Sequence, residues 1–166
     1  MAHVNKQDRV ALYTALTDVE LDAVRTLFHE YAASLKIDLC FQDFSAELRN
    51  LPGDYCGPRG ALRVATVDGK YAGCCAMRPL DTSDYPNACE MKRLFVREAF
   101  RGLGVGRKLA EGILDCARIA GYDCILLDTL NEMESARALY EDLGFVEIPP
   151  YYYNPIAGAH YLQAAL

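Results

Sequence analysis

Three glycines, Gly102, Gly104 and Gly106, alternate with other residues between an apolar run and a segment patterned as a long helix. Arg101 precedes them and Arg107 follows them. The first N–H groups of a helix lack partners within it and carry the positive end of its dipole. Small residues at that point let an anion approach these donors closely. The pattern predicts a phosphate or pyrophosphate site, although glycines also serve tight packing of a strand against a helix.

The charge around this segment also favours an anion. Six basic residues and a single acidic one, Glu98, stand between positions 92 and 108, whereas the whole chain has a formal net charge of −6. A local positive excess in an acidic protein indicates a site for a compact anion, and the net charge argues against general nucleic-acid binding. The alternative is an ordinary solvated face of lysines and arginines.

Two common nucleotide-binding loops do not fit the segment. A Walker A loop requires Ser or Thr after its lysine, and here Leu109 follows Lys108. The dinucleotide fingerprint GxGxxG requires a third glycine where Arg107 stands. A nucleotide-binding enzyme of the dinucleotide type is therefore disfavoured, and tight binding of a nicotinamide dinucleotide without CoA binding would restore it.

The sequence Arg-Gly-x-Gly-x-Gly at 101–106 resembles the pyrophosphate loop, Arg/Gln-x-x-Gly-x-Gly/Ala, of the GNAT superfamily of acyl-CoA-dependent N-acetyltransferases. A second segment, "ARALYEDLGF" at 136–145, is similar to the family's Ala-x-x-Leu-Tyr-x-x-x-Gly-Phe. The resemblance extends over about residues 89–148. It implies one N-acetyltransferase domain over 1–166, with a mixed α/β sheet of about six to seven strands flanked by helices.

The resemblance also implies where acetyl-CoA would bind. Strands 89–96 and 123–130 would be parallel neighbours that splay apart and admit the pantetheine arm between them. Backbone groups at the end of the first strand would bond that arm and hold the acetyl carbonyl, and those of 102–107 would hold the pyrophosphate. The two arginines beside the glycines would add positive charge, unless they are ordinary surface residues. The implied cofactor-binding residues are Leu94, Phe95, Val96, Arg101, Gly102, Leu103, Gly104, Val105, Gly106, Arg107 and Ala136.

Two side chains are candidates for the chemistry of acetyl transfer. Tyr140 stands where the family places a tyrosine that protonates the departing thiolate, and tyrosine is protonated at neutral pH. Glu90 stands where many members carry a glutamate that acts as base toward the acceptor amine, often through water. Each has an alternative: Tyr140 could simply pack on a helix face, and Glu90 could pair with Lys92 on the same strand face.

One position departs from the family pattern. Met133 stands seven residues before Tyr140, where many relatives carry an asparagine that contacts the cofactor, and Asn131 is not an equivalent substitute. No cysteine stands where an acyl-enzyme would require one, so direct transfer in a ternary complex is expected. The acceptor is expected to be a small-molecule amine beside the first two helices and Tyr151–Tyr153, which could form an aromatic wall or pack on the sheet. The acidic net charge favours a cationic amine.

A catalytically idle acyl-CoA-binding module with a sensing or regulatory role is the main alternative function. Such a module would share the loop at 101–106 with an enzyme. It would have no need of Tyr140 or Glu90, so the presence of both residues favours the enzyme.

The elements that must position these residues follow from hydrophobic periodicity. Strands are predicted at 10–15, 89–96, 123–130, 145–148 and 159–164, and helices at 17–35, 43–50, 104–120 and 133–143. A hairpin is predicted over 63–78 with its turn at Asp68-Gly69, and Thr17 with Glu20 fits a capping box at the first helix.

The composition fits a single globular domain, since 166 residues are 52% hydrophobic and 24% charged. No signal-peptide pattern and no window of about 20 apolar residues occurs, so a cytoplasmic protein without a membrane partner is expected. The seven cysteines form no CxxC pair, and the three histidines lack ligand spacing, which predicts reduced thiols and no metal site. Relatives often dimerise through sheet edges, so the resemblance is compatible with a homodimer.

Overall fold

The computed structural model describes residues 9–35, 39, 43–130 and 134–166. Seven strands and four helices lie within these ranges. Short 3-10 turns lie at Gly53–Tyr55 and Glu98–Phe100. The elements are β1 Val10–Thr14, α1 Asp18–Leu35, α2 Phe44–Arg49, β2 Ala61–Val67, β3 Lys70–Leu80, β4 Ala88–Val96, α3 Val105–Ala120, β5 Cys124–Leu130, α4 Glu134–Asp142, β6 Val146–Ile148 and β7 Ala159–Ala165.

All seven strands join one sheet in the order β1-β2-β3-β4-β5-β7-β6. β4 and β5 form the parallel pair, and the other neighbouring strands are antiparallel. α1 and α2 pack on one face of the sheet, and α3 with Tyr140 of α4 packs on the other. The mixed α/β sheet flanked by helices that the sequence predicts is therefore confirmed. No helix within the described ranges is long and apolar enough to cross a membrane.

Local sequence signals explain several of these elements. Asp68 and Gly69, at the tip of the β2–β3 hairpin, both have positive φ, 51° and 78°, as a type I′ turn requires. At the start of α1, the Thr17 N–H donates to a Glu20 carboxylate oxygen at 2.9 Å, and the Glu20 N–H donates to Thr17 Oγ1 at 3.2 Å. The predicted hairpin turn and capping box are both confirmed.

β4 and β5 separate soon after they meet. Their ladder consists of three residue pairs, from Ala88–Cys124 to Glu90–Leu126, although both strands continue well beyond it. On its other side, β4 carries a bulge against β3, where Arg93 adopts a φ of 62°. Because a bulge bends its strand and increases its twist, it directs the end of β4 away from β5. The predicted splayed parallel pair is present.

Candidate functional site

The separation of β4 and β5 opens a slot at the centre of the sheet. The slot holds about 580 Å³ of atom-free space, part of it open to solvent. Side chains from both strands, from α1 and α4, and from the segment between β6 and β7 line it. Its polar and charged lining residues are Tyr31, Lys92, Arg93, Asp128, Thr129, Tyr140 and Asn154.

The sheet gives the slot two chemically different sides. Leu94 and Val96 pack into the apolar cluster that also contains α3 and Tyr140. Phe95 packs into the cluster on the opposite face, which contains α1. Glu90 also faces away from α3, because its strand neighbours Cys89 and Met91 pack into the α3 cluster and side chains alternate along a strand. A reactant held along α3 and one held near Glu90 would therefore meet in the slot from opposite directions.

The glycine segment forms the tight connection into α3. Gly102 and Gly104 have φ values of 80° and 78°, and a Cβ added at either would meet no atom within 4 Å. Glycine is therefore required there by backbone conformation and not by lack of space. Gly104 immediately precedes α3 and offers no side-chain cap to its first N–H groups. A Cβ at Gly106 would make ordinary contacts, 3.6 Å from Val96 and 4.0 Å from a Leu139 methyl.

The two arginines beside the glycines already have partners within the protein. Arg101 Nε donates to the Val96 carbonyl at 3.1 Å, which ties the loop to the end of β4. Arg107 bonds to Asp142 of α4 at 2.7 Å and lies 3.9 Å from Glu111. An anion bound at Arg107 would therefore compete with these carboxylates. Of the other expected loop residues, Val105 is fully buried and Leu103 is partly buried, and both contribute to the core beneath α3.

Tyr140 is packed and also lines the slot. Only 5% of it is exposed, and its ring contacts Phe145 edge-on with centroids 5.5 Å apart. Burial raises the pKa of the Tyr140 hydroxyl well above its ordinary value, so the group stays protonated at neutral pH. The packing expected as an alternative is present, and it does not conflict with proton donation. Ala136, one turn earlier in α4, packs against the same core.

Glu90 is held by three groups and is 1% exposed. Arg78 Nε donates to one carboxylate oxygen at 2.9 Å, and the Tyr151 hydroxyl donates to the other at 2.6 Å. Lys92 Nζ lies 3.9 Å away, so the pairing considered for these two residues is present. Burial alone would raise the pKa of the Glu90 carboxyl, but Lys92 and Arg78, with the Tyr151 bond, outweigh it and the pKa is lowered. The role of Glu90 as base stays a prediction.

Asp128 of β5 is a charged slot residue that sequence reasoning missed. One of its carboxylate oxygens, Oδ2, accepts hydrogen bonds from the Tyr152 hydroxyl at 2.5 Å and from Asn154 Nδ2 at 3.1 Å. Its signal in the sequence was a lone acidic residue inside an otherwise apolar buried strand, "CILLDTL". A charge at such a position has to be paired or functional.

Arg93, at the β4 bulge, is one of the six basic residues that the sequence assigned to an anion site, but it is paired within the protein. It is 4% exposed and makes a two-pronged pair with Glu47 of α2, at 2.9 and 3.1 Å. Its guanidinium also lies over the rings of Tyr31 and Phe44, 5.8 and 5.3 Å from their centroids. These contacts fix the bend of β4 to α1 and α2.

Two members of the tyrosine run pack inward, as one of the two expectations has it, and the aromatic wall for an acceptor stays a prediction. Tyr151 and Tyr152 turn inward and bond to Glu90 and Asp128, whereas Tyr153 is 85% exposed. Asn131 and Met133, where the family pattern is broken, lie outside the described residues. Within the described ranges, no three His, Cys, Asp or Glu side chains come together as metal ligands.

Known proteins resemble this chain in family, in sequence and in structure. The model of the acetyltransferase (GNAT) domain matches residues 58–147. An uncharacterised N-acetyltransferase of Schizosaccharomyces pombe is 35% identical, over 95% of this chain and 96% of its own length. N-acetylaspartate synthetase of Rattus norvegicus is 30% identical, over 82% of this chain and 44% of that protein.

Solved structures share the fold. A GNAT-family acetyltransferase of Staphylococcus aureus superposes with a TM-score of 0.76 at 20% identity, covering 94% of this chain and 98% of that one. The yncA protein of Salmonella typhimurium, solved with its cofactor acetyl-CoA, superposes with a TM-score of 0.66 at 17% identity, covering 95% and 94% of the two chains.

Proposed function

Because this chain belongs to the GNAT family of acetyltransferases and is an acyl-CoA-dependent N-acetyltransferase, we propose that it moves acetyl from acetyl-CoA to the primary amine of a small-molecule acceptor. The observation that carries the proposal is the slot between β4 and β5. One side of the slot faces α3 and carries Tyr140, and the other side carries a cluster of charged residues.

The end of β4 supports binding of the pantetheine arm. Beyond Glu90 the strand has no ladder to β5, so the backbone groups of Leu94, Phe95 and Val96 that face the slot do not pair with that strand and could bond a ligand. The Val96 carbonyl, which accepts from Arg101, would have to exchange that bond. A backbone N–H near Phe95 or Val96 would also donate to the oxyanion of the tetrahedral intermediate. The uncapped N–H groups that follow Gly104 would receive the pyrophosphate.

Tyr140 is proposed as the acid of the reaction. The amine nitrogen attacks the thioester carbon, a C–N bond forms, and the C–S bond breaks as Tyr140 gives its proton to the leaving sulfur. Of the three protons on the acceptor's ammonium form, one remains on the amide, one replaces the proton that Tyr140 donated, and one passes to solvent. The raised pKa of Tyr140 keeps the donor protonated at neutral pH.

The acceptor side of the slot carries charges of both signs, with Lys92 and Arg93 beside Asp128. This mixture suits an amine that also bears a carboxylate as well as it suits a simple cationic amine. The name of the rat relative, N-acetylaspartate synthetase, points the same way. The preference for a cationic amine, expected from the net charge, stays a prediction to be tested beside amino acids.

Mass spectrometry of acceptors tests the proposal. The protein is incubated with acetyl-CoA and a panel that contains aspartate, other amino acids, polyamines and aromatic amines, with CoA in place of acetyl-CoA as the control. We expect one acetyl group on at least one amine and no acyl adduct on the intact protein. Acetyl-CoA binding without an acetylated product across the panel would contradict the proposal and favour the sensor module.

A further inference from the structure

Two carboxylates lie near the slot on the side away from α3, Glu90 on β4 and Asp128 on β5. Resting on the proposed acetyl transfer, we infer that Asp128, and not Glu90, accepts the proton of the acceptor's ammonium group. Asp128 is the single carboxylate among the described residues that line the slot. Tyr140, the proposed acid, lines the same slot from α4.

The position of Asp128 along β5 follows from strand geometry. Leu126 is the last β5 residue paired with β4, where it lies opposite Glu90. Asp128 is two residues further on, so its side chain points to the same sheet face as Leu126, at a level where β4 has already separated. On its other flank it lies opposite Tyr161 of β7. The Asp128 carboxylate therefore lies where β4 and β5 have separated, beyond their last paired residues.

The two carboxylates differ in how their oxygens are used. Both oxygens of Glu90 accept hydrogen bonds, one from Arg78 and one from Tyr151. Both hydrogen bonds that Asp128 receives from described residues, from Tyr152 and Asn154, end on Oδ2. Each oxygen of Glu90 already accepts a bond, and Arg78 and Lys92 stabilise its ionised form. Oδ1 of Asp128 accepts no hydrogen bond from the described residues and can receive an ammonium group, while the two bonds on Oδ2 fix the orientation of the carboxylate.

The titratable groups around Asp128 leave the carboxylate as the natural proton acceptor. Two cations line the slot with it: Lys92, which is also 3.9 Å from Glu90, and Arg93, which is paired with Glu47. The rest are phenols whose pKa values burial raises, so they are neutral near pH 7 and offer no competing base. Those that interact electrostatically with Asp128 are Tyr31, Tyr140, Tyr151, Tyr152 and Tyr161.

The proton balance is simple. The acceptor enters as R–NH3+, and one N–H bond breaks as its proton moves to Asp128 Oδ1 and the electron pair stays on nitrogen. The free amine then attacks the thioester, and Asp128 later returns its proton to solvent. The proton that restores Tyr140 comes from the same nitrogen after the C–N bond has formed.

The test compares wild type, Asp128→Asn and Glu90→Gln with the best acceptor of the panel, from about pH 6.5 to pH 9.5. Removal of a general base costs about 100-fold or more, so we expect Asp128→Asn to lower kcat/KM about 100-fold near pH 7 with acetyl-CoA affinity unchanged. The deficit should shrink as pH rises toward the amine's own pKa, because free amine no longer needs a base. An aromatic amine, already neutral near pH 7, should show little deficit.

Asp128→Ala serves if the asparagine variant does not fold, and added formate should then restore part of its rate. A loss below about threefold, or a loss that is equal at every pH and for the aromatic amine, would overturn the inference. So would pH-dependent recovery in Glu90→Gln instead of Asp128→Asn. A wild-type protein that acetylates no amine would overturn the proposed function itself, whereas an active wild type with an unaffected Asp128→Asn overturns this inference alone.

Discussion

The Tyr140 hydroxyl is buried and also lines the slot. Burial against Phe145 raises its pKa, so it holds its proton tightly, and its place in the slot brings it near a reactant. A group with such a pKa is a weak acid toward water but can protonate a leaving thiolate as negative charge develops there. The same residue can therefore serve as core packing and as proton donor.

Removal of this hydroxyl should affect turnover more than folding. We expect Tyr140→Phe to lower kcat about 100-fold, the lower end of general-acid contributions, with the thermal midpoint nearly unchanged because the ring remains. Tyr122→Phe is the matched control, since Tyr122 is also buried but bonds to the Arg59 carbonyl away from the slot. Steady-state kinetics of both variants checks this, and equal losses in the two would contradict the role of Tyr140.

Glu90 should matter for stability even if it is not the base. Glu90→Gln leaves Arg78 and the buried Lys92 without their shared carboxylate, and breaking a buried pair costs about 3 kcal/mol. Asp81→Asn, which breaks an exposed pair with Arg59, should lower the free energy of unfolding far less, because solvent screens that pair. Urea unfolding of the two variants measures the difference.

The destabilisation caused by Glu90→Gln should depend on pH in a defined direction. The pKa of Glu90 is lower in the folded protein than in the unfolded chain, so its contribution is complete above the unfolded value of about 4.3 and is lost as pH falls below it. The gap between wild type and Glu90→Gln should therefore narrow below about pH 4. A gap that stays constant down to about pH 3 would mean that charge is not its source.

Among the elements, the connection from β4 to α3 is where backbone geometry would affect the proposed binding of acetyl-CoA. We expect Gly104→Ala to destabilise the fold by about 1–2 kcal/mol, because an L-residue is strained at a φ of 78°, and to weaken acetyl-CoA binding. Gly112→Ala is the control, since its Cβ would lie in the middle of α3 with no atom nearer than 4.0 Å, and alanine favours a helix by about 1 kcal/mol. Urea unfolding and calorimetry compare the two, and similar behaviour would contradict a special role for the loop.

The elements differ in how far the sequence reveals them. The Asp68-Gly69 turn, the Thr17–Glu20 cap and the period of α3 are local signals, and the structure confirms them. The β4 bulge at Arg93 has no such signal, because no glycine marks its positive φ. At the bulge Arg93 pairs with Glu47, 46 residues away in the chain, and a local pattern does not contain that contact.

In the site too, the sequence does not reveal contacts between residues that are distant along the chain. The glycine loop and Tyr140 were predicted because both belong to compact motifs. Asp128 was missed because the hydrogen bonds that orient its carboxylate come from Tyr152 and Asn154, 24 and 26 residues further along the chain. The bonds of Glu90 to Arg78 and Tyr151 are likewise created by folding, so sequence could name the residue but not its surroundings.

At the scale of the whole molecule, buried tyrosines should make the protein sensitive to alkali. Burial raises the pKa values of Tyr55 and Tyr140 well above the unfolded value of about 10. The stability that these tyrosines contribute is complete below that pH. Above it the unfolded chain ionises first, so the free energy of unfolding falls by about 1.4 kcal/mol per pH unit for each tyrosine. Unfolding midpoints in urea from about pH 8 to pH 11 should fall accordingly.

Two variants separate this effect from general charge repulsion. Tyr55→Phe should flatten the alkaline decline, whereas Tyr153→Phe, at an 85% exposed position, should leave it unchanged. An equal alkaline slope in both variants would contradict the assignment to buried tyrosines.

The single domain expected over 1–166 also predicts one cooperative unfolding transition, seen identically by fluorescence and circular dichroism.

Calorimetric titration with acetyl-CoA, with NADH and ATP as controls, tests whether the slot binds the acyl donor. We expect saturable binding of acetyl-CoA at micromolar concentration and no binding of the controls, because we propose that the loop into α3 holds the pyrophosphate and the open end of β4 holds the extended arm. Absence of acetyl-CoA binding up to about a millimolar, or equal binding of NADH, would mean that the glycines serve packing alone and that the slot is not the site of acetyl transfer.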